Sequence, residues 1–476
     1  MFTSMKRASM MIFLLGTSMA LAQRRTPAND PVPERVARLV APLIESRTVL
    51  GLSIGMIDGD KIWTMGYGFV DSELRARPDA GTVYEIGSIT KSFTGILLAD
   101  AVERGKAMPE GASSDATPSA KLKLDSRVAD FLPDSVRTGE FGSSGATLLD
   151  LATHHSGLPS LPPDFAPGDP GNPYADYSAA RMLASLEHVP LDAKPGTRYS
   201  YSNLGAGLLG WILARHAGVD YPELVRRRIT APLAMGSTGT VLTPELSARL
   251  AQGHDPDGEV VPNWDFDALA GAGAIRSNID DMLLYLKANL GMTQTSLRTA
   301  IDASQKSQRA IENGGSIGLG WHIAPGGKAI WHNGETAGYH SIIVFNREKR
   351  QGVIVLSNTL SPLIDRLGID LLKMLGGADP APMTLPAVAR LDTAALERYV
   401  GSYGFGNGAT MTISRQRDRL YSNLEEQAPL RIYPSSESEF FLRAVDAQIT
   451  FVRSADGRVT GLVLHQNGID QTARRE

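Results

Sequence analysis

The sequence predicts an α+β fold: an antiparallel sheet drawn from both ends of a long first domain, helices between those ends, and a small all-β domain behind a linker. Three observations carry that prediction. Short apolar runs of strand character, bounded by turn signals, occur at 50–70 and again at 318–357. Between them the apolar residues recur at helical spacing. After a stretch at 376–391 rich in Gly, Ala, Asp and Pro, short alternating runs with turn signals fill 392–476. Pairing the two ends of the first domain into one sheet, with the helices packed on it, is the economical way to bury both.

The chain has 476 residues, 42% of them hydrophobic and 21% charged, which is the composition of an ordinary globular protein. At a prior of roughly 150 residues per domain, two or three units are expected. Residues 1–22 form a separate segment: Lys6-Arg7, an almost uncharged apolar run from Ala8 to Leu21, and a small-residue cleavage pattern at Ala20-Leu21-Ala22. This predicts a secretory signal peptide and a periplasmic or secreted protein, since the run falls short of the roughly 20 apolar residues that a span needs. There is no cysteine, so a lipoprotein anchor, disulfides, thiol catalysis and cysteine metal sites are excluded. Without residues 1–22, which carry Lys6 and Arg7 and no acid, the net charge moves from −4 to −6. Nucleic acid is therefore not expected as a partner, nor a stable membrane anchor.

Taken in order, Arg35 to Ser46 reads as a helix, and Leu50 to Ile57 and Lys61 to Val70 as strands joined by an Asp58-Gly59 hairpin turn. A helix from Lys91 to Glu103 follows, with Phe93, Ile96 and Leu97 at core spacing. Residues 107–120 have no periodicity and read as a surface insertion. The adjacent pair His154-His155 points about 100° apart on a helix, a poor metal arrangement, and reads as part of a polar turn. Leu161 to Tyr177 is a long loop of the kind that often walls a binding site. The helix at 204–216 contains Gly205-Ala206-Gly207-Leu208-Leu209-Gly210, which matches a dinucleotide-binding pattern. No strand leads into it, so close helix packing is the better account. Arg226-Arg227-Arg228 reads as a solvated helix face, and Asp280-Asp281 as helix-start charge behind a capping box. Strands are expected at 318–323, 328–332, 340–346 and 352–357.

The chemistry centres on Ser88-Ile89-Thr90-Lys91. Three residues is nearly one helical turn, so Ser88 and Lys91 share a face, and a neutral lysine could take the hydroxyl proton. Neutrality demands burial or a neighbouring cation, hence a closed pocket with further residues. Alone, such a pair is as well explained by a capping serine and a surface lysine. Two more segments change that balance: Tyr201-Ser202-Asn203, and His332-Asn333-Gly334 on an expected strand edge.

In this order and at these gaps, the three segments resemble the motifs of the penicillin-recognising serine hydrolases. That family includes class C β-lactamases, DD-peptidases, D-aminopeptidases and related esterases. Thr153 to Pro159 and Gly318-Leu319-Gly320-Trp321 extend the resemblance, which covers about residues 33–375. It implies a β-lactamase/transpeptidase-like antiparallel sheet flanked by helices, and a small-molecule or peptide substrate: a β-lactam, a D-amino-acid peptide or an ester. It implies Ser88 as nucleophile, with Lys91 and Tyr201 handling protons. Asn203, His332, Asn333 and Gly334 would line the substrate, and the N–H groups of Ser88 and Glu335 would hold the oxyanion. No metal or organic cofactor is implied. The third motif departs from the usual Lys-Thr-Gly of β-lactamases, since histidine is not a fixed cation for a substrate carboxylate. That departure weighs against strong penicillin hydrolysis. The small β domain at 392–476 is similar to those appended to family peptidases and esterases.

Overall fold

The computed structural model describes residues 32–107, 121–425, 427–466 and 468–476. The expected leader at 1–22 and residues 108–120 of the expected insertion lie outside the described residues.

Both ends of the first domain do meet in one sheet. Its eight strands run in the order Lys61–Gly68, Gly51–Asp58, Gln351–Ser357, His340–Asn346, Ile330–Glu335, His322–Ile323, Ser316–Ile317 and Arg309–Ala310. Every pairing is antiparallel. The period-two side-chain alternation of the central strands feeds two cores. Leu52, Ile54, Val353 and Val355 face the helices Val32–Glu45 and Leu363–Leu375, whereas Ile343, Phe345, Ile354 and Leu356 face the helical body on the other side.

The helix Thr90–Ala107 is the axis of that helical body: the ten residues from Lys91 to Asp100 are all buried. A helix buried all round carries no polar face to water, so each polar group on it needs a protein partner. The Gly-rich helix, Asn203–Ala217, packs beside it as the sequence suggested. A Cβ on Gly207 would lie 2.5 Å from Leu269, and one on Gly210 would lie 2.8 Å from the Gly271 Cα.

Two expectations are corrected. The strand expected at 318–323 is two short strands, Ser316–Ile317 and His322–Ile323, joined by a turn that the Gly318 N–H closes onto the Trp321 carbonyl at 2.8 Å. The turn is required because the buried helix comes too close for a straight strand: a Cβ on Gly95 would sit 2.0 Å from the Leu319 oxygen. Gly320, at φ +70°, lies against the Lys91 carbonyl in the same way. The second correction concerns Arg226-Arg227-Arg228. Arg226 and Arg227 hold the surface residue Glu223, but Arg228 donates two hydrogen bonds, 2.9 and 3.1 Å, to Asp100 on the buried helix. A π-helical turn at Arg226–Thr230 swings Arg228 inward.

The C-terminal unit is a closed eight-stranded barrel, its first strand Gly401–Phe405 pairing with its last, Ile469–Arg475. Tyr399, Tyr403, Phe440 and Phe451 fill its interior. It is tied to the first domain by the Tyr433 hydroxyl on Asp257 at 2.5 Å, by Arg419 on Glu259 at 2.9 Å, and by Arg443 on the Ser46 carbonyl at 3.2 Å. Among the described residues no helix is long and apolar enough to cross a membrane.

Candidate active site

Ser88 sits in a single 3-10 turn, Gly87–Ile89, which runs directly into the helix Thr90–Ala107. Lys91 follows in the first turn of that helix, and its Nζ lies 2.9 Å from Ser88 Oγ. Tyr201 arrives from the segment ahead of the Gly-rich helix, its hydroxyl 2.8 Å from the same oxygen. What fixes Tyr201 there is the capping of that helix: Ser202 accepts from the Gly205 N–H at 2.9 Å and donates to the Pro159 carbonyl at 2.7 Å. The ring of Tyr201 is held between Lys91, 4.8 Å from its centroid, and the tilted imidazole of His154 at 4.4 Å.

Burial decides the protonation states. Lys91 is 3% exposed and desolvation carries its pKa well below the ordinary lysine value. A neutral amine has two N–H donors and one lone pair. The Ala272 carbonyl at 2.7 Å and Asn203 Oδ1 at 2.8 Å take the donors, which leaves the lone pair for the Ser88 hydroxyl. Burial drives Tyr201 the other way, raising its pKa, so the phenol keeps its proton and donates to Ser88 Oγ. Desolvation also keeps three histidines of the cleft neutral: His154 and His332 fall well below the ordinary value, and His322 falls to about 4.

The third motif forms the opposite wall. Gly334 packs on the turn before Ser88, where a Cβ would meet the Ile86 carbonyl oxygen at 2.0 Å, and Ser341 donates to that same oxygen at 2.9 Å. Gly87, at φ +50°, packs against Glu335, whose backbone nitrogen would lie 2.6 Å from any Cβ there. The backbone of Ser88 and that of Glu335 therefore share one corner. His332 is buried beside His322, 5.2 Å between ring centroids, with Nδ1 on the Asn333 carbonyl at 2.6 Å and, among the described residues, no hydrogen-bond partner for Nε2.

Two expected substrate-lining side chains have protein partners of their own. Asn203 Oδ1 is held by Lys91. Alternation along Ile330–Glu335 turns Asn333 away from the His332 side, and its amide donates to Asp365 at 2.8 Å. Sequence reasoning missed His154, His322 and the pair His340–Asp365. His154 lies inside the Thr153–Pro159 segment singled out in the sequence, so that signal was on hand, whereas His340 and Asp365 carried none.

Comparison with known proteins agrees with this architecture. The Beta-lactamase family model matches residues 36–375, and a model described as a domain of unknown function, DUF3471, matches residues 385–475. Penicillin-binding protein 4* of Bacillus subtilis is 26% identical over 467 residues, covering 92% of this chain and 97% of that protein. A beta-lactamase of Escherichia coli is 24% identical over 371 residues, covering 70% and 91%. Among solved structures, a class C beta lactamase from Rhodobacter sphaeroides superposes with a TM-score of 0.61 at 25% identity, covering 72% of this chain and 99% of that one. With the family model spanning most of its length, the chain belongs to the beta-lactamase family.

Proposed function

We propose that the protein is a serine hydrolase working through an acyl-enzyme on Ser88, with D-alanyl-type amides and β-lactams as its substrate class. The observation that carries this reading is the pair of oppositely tuned groups on one hydroxyl: a neutral Lys91 amine at 2.9 Å and a protonated Tyr201 phenol at 2.8 Å. In attack, the Ser88 oxygen bonds to the substrate carbonyl carbon while its proton passes to the Lys91 lone pair. The carbonyl oxygen, now negative, is stabilised by the N–H groups of Ser88 and Glu335. Such donors are worth about 3 kcal/mol of barrier each. As the tetrahedral species collapses, Tyr201 protonates the departing group and is itself reprotonated from Lys91. Water then repeats the sequence on the acyl-enzyme. The names of the relatives, a penicillin-binding protein and a beta-lactamase, support the substrate class.

A second reading, an ester hydrolase with the same residues, is favoured by one observation: neutral His332 stands where a lysine would hold a substrate carboxylate. Export through the leader at 1–22 belongs to both readings, supported by its charge and apolar pattern. The test is a panel of nitrocefin, a D-Ala-D-Ala peptide and a short-chain nitrophenyl ester. Amide or β-lactam turnover lost in Ser88→Ala supports the first reading. Ester turnover alone supports the second.

A further inference from the structure

His154 grips the segment that carries Tyr201 through its main chain and its side chain at once. It follows the short helix Leu148–Ala152 by two positions, and its backbone is left-handed at φ +58°. Histidine is among the non-glycine residues that visit this region, but a buried one stays there only where its surroundings hold it. His154 is 2% exposed. Its carbonyl accepts the Ser200 N–H at 2.8 Å, and its Nδ1 accepts the Ser202 N–H at 3.1 Å. The residues on either side of Tyr201 are thus both tied to His154. Between those two ties the Tyr201 ring lies along the imidazole, 4.4 Å between centroids and 31° from parallel. Tyr199 closes on the same imidazole edge-on at 5.8 Å.

A backbone N–H can only donate, so the Nδ1 that meets it carries no proton and the ring proton sits on Nε2. Burial keeps the imidazole neutral and so preserves that acceptor. The cap made by Ser202 sets where the helix Asn203–Ala217 begins, but not which way the ring one residue earlier points. The phenol donates to Ser88 Oγ across 2.8 Å, and a displacement of about 1 Å would lose that bond. We propose that His154 is a positioning residue for proton delivery to the leaving group: its unprotonated Nδ1 fixes the Ser202 N–H, its ring face fixes the Tyr201 ring, and together they aim the phenol at Ser88 Oγ. His154 exchanges no proton with the substrate. Its removal therefore slows departure of groups that must be protonated as they leave, and spares those that depart as stable anions.

This inference rests on the acyl-enzyme reading, and one experiment separates the two. The probes are the ethyl and p-nitrophenyl esters of N-acetyl-D-alanine: ethoxide needs a proton as it leaves, nitrophenolate does not. The quantity is kcat/KM, which reports acylation. His154→Gly suits the positive φ and removes the whole imidazole; it lowers ethyl-ester turnover about tenfold and nitrophenyl-ester turnover by less than about twofold. His154→Phe, which keeps a ring and removes the acceptor, shifts the two substrates in the same unequal way. His154→Asn tolerates the same backbone and offers an amide oxygen in place of Nδ1, and it restores ethyl-ester turnover to within about threefold of the unaltered protein. In a Tyr201→Phe background the His154 variants change neither substrate by more than about twofold, since no phenolic proton is left to aim. Equal losses on both substrates, unchanged ethyl-ester turnover, or the same loss with and without the phenol overturn the positioning role alone. So do Ser88-dependent turnover of the nitrophenyl ester only, and failure of both His154→Gly and His154→Phe to give a cooperative melting curve. Absence of Ser88-dependent turnover of either ester overturns the acyl-enzyme reading and this inference with it.

Discussion

The two domains bury opposite things. In the barrel the interior is apolar and aromatic, and among its described residues no Lys, Arg, His, Asp or Glu is buried. Around Ser88 the first domain buries Lys91, His154, His332 and His340, each 3% exposed or less. An uncompensated buried charge is costly, so such groups either neutralise or find a partner. Here Lys91 and two of the histidines neutralise, and His340 pairs with Asp365. The comparison teaches that the candidate site is recognisable as the place where the burial rule is broken.

Four experiments break or sharpen this contrast. Lys91→Ala removes the proposed base and is expected to slow acylation by about 10³-fold or more while leaving the folded protein intact. Stopped-flow acylation together with a melting curve checks both halves. Phe451→Ala in the barrel does the converse. This ring is 2% exposed, so its loss is expected to cost about 3–5 kcal/mol of barrel stability. kcat/KM below the melting transition should stay unchanged, and a comparable loss of activity would show that the barrel takes part in the site. Tyr201→Phe keeps the ring between Lys91 and His154 and removes only the proton donor. About a 10²-fold loss is expected, larger for amides than for activated esters, whose leaving groups need less protonation.

The smallest effect is a stability change with pH at His340. Burial alone would lower its pKa, but Asp365 and Glu335 together raise it above the ordinary histidine value. A group whose folded pKa is raised contributes stability that is full below the unfolded value of about 6.5 and fades as pH rises through the folded one. Melting temperatures of the unaltered protein and of His340→Gln should therefore lie furthest apart in mild acid and converge on the alkaline side. A gap that widens with pH would contradict the assignment.

Much of the arrangement was legible in the sequence because the residues that build it are local. The Ser88–Lys91 spacing acts within one helix turn, and the close-packing glycines 207 and 210 act through one helix face each. The split of the strand at 318–323 was not legible, because its cause is the approach of a helix more than two hundred residues earlier in the chain. The inward turn of Arg228 needed knowledge of Asp100. The pairing of His340 with Asp365 was hidden for a similar reason. Glu335 announced itself only through its backbone, and His340 and Asp365 acquire meaning when the sheet and the helix Leu363–Leu375 bring them together.

The claim at the centre is that Ser88 becomes covalently acylated because neutral Lys91 activates it. Intact-mass measurement followed by peptide mapping, after brief mixing with an activated ester, tests this directly. The account predicts an acyl adduct on Ser88 that forms quickly in the unaltered protein and hardly at all in Lys91→Ala. Turnover without an adduct, or an adduct on any other residue, would contradict it.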